Sequence, residues 1–110
     1  MNSHIFRDKN HFWKYVPYKS NITQVAGTTA PFIGMGIVPI SFPGSDHLYL
    51  LYPSYHMPDN LQDTLGVSAL KYYNQCHSTR VEALAWFRIV SKEGDTVTVP
   101  TIPIYHKSEL

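Results

Sequence analysis

Ser20-Asn21-Ile22-Thr23-Gln24-Val25-Ala26, then Gly27-Thr28-Thr29, then the apolar run from Phe32 to Phe42 decide how this chain folds. The first piece reads as a strand. Gly27 opens a turn, because glycine accepts positive φ without steric cost. The run from Phe32 reads as a second strand. Its Gly34 and Gly36 predict a bulge or a close backbone approach, and Pro39 predicts an edge or a bulge. Two strands flanking a short turn predict a hairpin.

Outward from this hairpin the signals stay mainly β. Pro43-Gly44-Ser45-Asp46 is a turn. His47 to Tyr52 is a short apolar and aromatic strand that Pro53 is expected to end, and Met57-Pro58-Asp59-Asn60 reads as a loop. Residues 67–76 hold one helix, in which Val67, Leu70 and Tyr73 or Asn74 share a face. Ala83 to Val90 fits helix or strand by periodicity. The Lys92-Glu93-Gly94-Asp95 turn and the alternation from Thr96 to Thr101 favour a final hairpin. Residues 1–19 carry Phe12, Trp13, Tyr15 and Tyr18 at spacings that match neither period, so a helical turn or irregular lead-in is expected there.

The chain has 110 residues, which suits one domain spanning 1–110. It is 44% hydrophobic and 14% aromatic, which argues against disorder. The net charge is +1, and Arg7, Lys9, Lys14, Lys19, Lys71, Arg80, Arg88, Lys92 and Lys107 are spread out, so no nucleic-acid partner is expected. No run approaches the length that spans a bilayer, so no membrane partner is expected either. Cys76 alone cannot form an internal disulfide, and no secretory signal is visible, so the expected compartment is the cytoplasm.

The catalytic inventory is thin. His4, His11, His47, His56, His77 and His106 show no zinc-site spacing, and Cys76 has no cysteine partner. They read as scattered surface or half-buried imidazoles, with no metal and no cofactor expected. Cys76 reads as a packing residue, because nothing places a histidine base beside it. Gly34-Met35-Gly36 is a fragment of a dinucleotide fingerprint, but it lies inside a strand with no helix following.

The order of elements resembles the protease segment of Copia-type retrotransposon polyproteins, a branch of the retropepsin-like aspartic peptidases. That family's motif runs Asp-Ser/Thr-Gly-Ala, two variable residues, His and an aliphatic residue. Asn2-Ser3-His4-Ile5-Phe6 matches its tail. Ile22 to Val38 matches the flap hairpin and the strand after it, with Ala26-Gly27 where the family usually has Asn-Gly. Leu48 to Tyr55 resembles the strand before a Pro-x-x-x-x-Asn-Leu loop, near which Met57-Pro58-Asp59-Asn60-Leu61 falls. Leu65-Gly66 and the helix after it resemble the family's hydrophobic-Gly step and C-terminal helix. The likeness covers about residues 2–76 and, more weakly, the hairpin to about residue 101.

The resemblance implies a retropepsin-like barrel or half-barrel with a flap hairpin and one short helix. It also implies an aspartic endopeptidase that cuts its own polyprotein as a homodimer. Substrate contact would fall to Val25, Ala26, Gly27 and Thr28. The sequence departs from the family at the decisive point. Met1 stands where Asp-Ser/Thr-Gly-Ala would precede Asn2, and no other Asp supplies the triplet: Asp63-Thr64 leads into Leu65 and Asp95-Thr96 into Val97. Catalysis in the family needs one Asp from each of two subunits, sharing a proton. The expectation is therefore an inactive protease remnant, incomplete at its N-terminus and with a sheet edge left open. The alternative is a non-catalytic β-barrel module that binds a peptide or a polyprotein segment.

Overall fold

The computed structural model describes residues 3–23, 27–45, 47–76 and 86–100. The predicted hairpin is its backbone. Strand β2 (Lys14–Thr23) runs antiparallel to β3 (Thr29–Ser41), closing at Thr23 against Thr29 with Gly27 at φ +82° in the turn. Strand β2 starts six residues earlier than its sequence suggests. The register shifts between Pro17 and Ser20, so β2 carries one residue more than β3 over that span. Such a bulge breaks the period-two pattern on which strand recognition depends. Along β3 the alternation survives, and Phe32, Gly34, Gly36, Val38 and Ile40 all face inward.

Strand β4 (Tyr49–His56) pairs antiparallel with the other side of β3 and runs through Pro53 rather than ending there. The ladder steps from Leu51 opposite Val38 to Ser54 opposite Gly36, leaving one extra residue on β4 at Tyr52-Pro53. Proline has no N–H to give, and a bulge asks none of it. The Tyr52–Pro53 peptide is cis.

The lead-in is more ordered than expected. Strand β1 (His4–Phe6) runs parallel to β4, pairing Ile5 with Tyr55. On its other side Ile5 exchanges both backbone hydrogen bonds with Thr64, at 2.8 Å each. A 3-10 turn at Lys9–His11, capped by the Asp8 carboxylate accepting from the Asn10 N–H, leads into β2.

Helix α1 (Val67–Cys76) occupies its predicted span. It buries Ala69 and Tyr73, one turn apart, on a core of Phe6, Phe12, Val38, Ile40, Phe42, Leu51, Phe87 and Ile89. Tyr72 stacks on Tyr49 with centroids 4.7 Å apart. The final hairpin is also present: β5 (Trp86–Val90) and β6 (Thr96–Pro100) pair over five residues, with Gly94 at φ +88° in the turn. Strand β5 joins the sheet through Ile40–Ile89 and Ser41–Arg88. Arg88 reinforces the join, donating from Nε to Ser41 Oγ (3.1 Å) and from Nη2 to the Ser45 carbonyl (2.9 Å).

The result is a mainly β protein with a six-stranded mixed sheet in the order β1-β4-β3-β5-β6, and β2 also on β3. Closure into a barrel is not observed among the described residues: β6 pairs only with β5, and β2 only with β3. No helix among them is long and apolar enough to cross a membrane.

Candidate functional site

Of the four expected substrate-contact residues, Val25 and Ala26 lie outside the described residues. Gly27 and Thr28 are exposed at the hairpin tip. A Cβ at Gly27 would meet nothing within 4 Å. Nearer the sheet the hairpin turns apolar. Ile22 and Ala30, directly paired, pack against a small cluster of Ile5, Phe32 and Met57, with Tyr55 beside it. The Phe32 and Tyr55 rings are 4.7 Å apart. This satellite cluster is separate from the main core and joins β1, the hairpin and the end of β4 in one apolar floor.

Beside Ile5, on the same short strand, His4 is fully engaged. The Gly66 N–H donates to its Nδ1 at 3.0 Å, and its Nε2 lies 3.0 Å from Ser68 Oγ. An acceptor Nδ1 leaves the single proton of the neutral ring on Nε2, which donates to the serine oxygen. Ser68 and His4 therefore do not form a nucleophile–base pair, because the nitrogen facing the hydroxyl carries a hydrogen rather than a lone pair. Burial holds the imidazole below its ordinary value of 6.5.

A second network crosses the sheet. The Tyr15 hydroxyl donates to His56 Nδ1 at 2.7 Å, and His56 Nε2–H donates to the Arg7 carbonyl at 3.2 Å. A carbonyl only accepts, so this direction is fixed. The Tyr15 ring lies across Gly34, where any Cβ would overlap it, and Lys9 Nζ sits 4.8 Å from the ring centroid. Gly34 is thus the close approach expected from sequence, and its cause is an aromatic ring. At Gly36 the obstacle is the Lys14 carbonyl. Burial pushes the Tyr15 phenol up.

The histidines correct the sequence reading. His4, His11 and His56 are buried, rather than at the surface or half-buried. His47 is exposed, and His77 and His106 lie outside the described residues. A lone histidine in sequence does not reveal a partner 62 residues away, the His4–Gly66 separation. The Gly34/Tyr15 pairing left a clue in the two glycines of β3, but not the identity of the ring.

Two carboxylates bind backbone N–H groups. Asp8 caps the 3-10 turn, and Asp63 accepts the Arg7 N–H at 2.8 Å. Among the described residues no three His, Cys, Asp or Glu side chains are grouped so as to hold a metal ion. The arrangement offers an apolar floor under a projecting hairpin, supported by hydrogen-bonded histidines with no free basic nitrogen on His4 or His56. No protein-family model, curated protein or solved structure matches this chain.

Proposed function

We propose that the chain is the body of a retropepsin-like aspartic protease domain from a Copia-type retrotransposon polyprotein, inactive as a peptidase in the form of these 110 residues. The observation that carries this reading is the His4–Gly66 hydrogen bond. His4 belongs to the stretch that resembles the tail of the catalytic motif, and Gly66 belongs to the hydrophobic-Gly step. Two separate pieces of the likeness meet at one bond, next to the start of the helix that the likeness also calls for. The β2–β3 hairpin takes the role of the flap, with Gly27 and Thr28 at its tip. Ile22 and Ala30, half-buried at the base of the hairpin, are the side chains that a peptide there would meet. In such a domain the reaction needs a carboxylate pair from two subunits, and the polypeptide holds no Asp-Ser/Thr-Gly triplet to supply it.

The coding DNA directly upstream of Met1 tests the assignment. A frame continuing into Asp-Ser/Thr-Gly-Ala before Asn2 supports it; a stop codon or unrelated sequence there leaves a catalytically dead remnant or a re-used binding module, which peptide-binding assays then separate. For the 110-residue polypeptide the expected result is no peptide cleavage. Cleavage blocked by an aspartic-protease inhibitor would overturn the inactive reading.

The apolar floor beneath the hairpin favours a second reading, a non-catalytic peptide-binding module. It predicts binding of a hydrophobic extended peptide without turnover, lost in Gly27→Val, which strains the turn at φ +82°.

A further inference from the structure

A second apolar feature lies apart from the hairpin floor and shares none of its side chains. It is a groove of about 330 Å³ on the β2–β3–β4 part of the sheet. Val16 sits directly opposite Met35, and Lys14 opposite Ile37. Tyr18 and Tyr52 complete the walls. Val16 is 60% exposed and Tyr52 65%, so this apolar lining faces solvent among the described residues. Large side chains in that position mark an interaction surface when they are contiguous.

The charge of the groove narrows the occupant. Lys14 is its one ionisable cation, and none of the described acidic residues lines it. Lys19 follows five residues on along the same strand, and the segment from Arg7 to Thr23 holds Arg7, Lys9, Lys14 and Lys19 against Asp8 alone. A second copy of the chain fits poorly. Pairing β2 with itself would set these lysines against their own kind, and Pro17 interrupts the edge, as in strands protected from self-association. A nucleic-acid strand fits poorly too, because one lysine between apolar walls does not track a phosphate backbone. We propose that this groove is a docking site for an extended peptide that carries an apolar side chain flanked by a carboxylate. The apolar side chain seats between Val16, Met35 and Tyr52, and the carboxylate pairs with Lys14.

Fluorescence anisotropy with three labelled peptides tests this on the full chain. The probes are a Glu-Leu-Glu peptide, a Lys-Leu-Lys peptide and a Glu-Ser-Glu peptide, each with the same neutral flanks. The Glu-Leu-Glu probe is expected to bind up to about fivefold tighter than Lys-Leu-Lys, the range an exposed ion pair can supply, and about tenfold or more tighter than Glu-Ser-Glu, which has no leucine to bury. Lys14→Glu is expected to invert the preference towards Lys-Leu-Lys. Tyr52→Ala and Val16→Asp, both at exposed positions, are expected to abolish binding while leaving the circular dichroism spectrum unchanged. Equal binding of all three probes overturns the proposal. So does a Lys14-dependent preference for single-stranded oligonucleotide, or a concentration-dependent doubling of mass that Val16→Asp removes.

Discussion

At the scale of single residues, His4 and Tyr15 hold positions that their neighbours in sequence do not announce. The unfolded chain protonates His4 near 6.5, whereas burial lowers that value in the folded state. Between the two values the folded state binds fewer protons, so its stability falls as pH drops through that window and levels off below it. Urea melts across pH 7 to 4 should show this slope. His4→Asn keeps an acceptor for the Gly66 N–H and should flatten His4's share of it. His4→Ala should cost about 2–3 kcal/mol at pH 7, because it leaves a buried N–H unsatisfied and opens a cavity. Gly34→Ala tests the ring-over-glycine contact. It should destabilise by about 1–3 kcal/mol through overpacking, and much less in a Tyr15→Ala background, a coupling a double-mutant cycle would measure. None of this was legible from the sequence beyond the hint of two glycines in a strand, since hydrogen bonds between distant residues leave no local pattern.

At the scale of elements, legibility followed local regularity. The helix at 67–76 and the 86–100 hairpin were readable because a 3.6-residue period and a Thr-Val alternation run there without interruption. The first part of strand β2, residues 14–19, and the second half of β4 were missed because each strand contains a bulge, at Pro17–Ser20 and at Tyr52-Pro53. A bulge inverts the pattern midway and makes one strand look like two fragments of loop. The β5–β6 hairpin pairs with β3 at two residue pairs reinforced by the Arg88 side chain, and Phe87 and Ile89 anchor it in the core. Arg88→Ala should therefore speed amide hydrogen exchange across Phe87–Val90 more than across β2 and β3. At Gly94, φ +88° with open space around it means that Gly94→Ala should cost about 1 kcal/mol and Gly94→Asn less, as read by thermal melts.

At the scale of the whole molecule, the mainly β class was legible from the residues, whereas an open sheet edge was expected only through the resemblance. Closure depends on which distant strands meet, and no period in the sequence encodes that. The same long-range logic governs β1. It is three residues long, and its partners are β4 on one side and Thr64 on the other. His4 comes off the ribosome first but bonds to Gly66, 62 residues later. At about 5–20 residues per second, the first strand waits roughly 3–12 s for the segment that encloses it. Through that interval β1 can pair with β4 and Ile5 can pack on Phe32 and Met57, but the Thr64 side of the strand stays open. The outer edge of β1 is thus sealed by a segment made long after the strand itself.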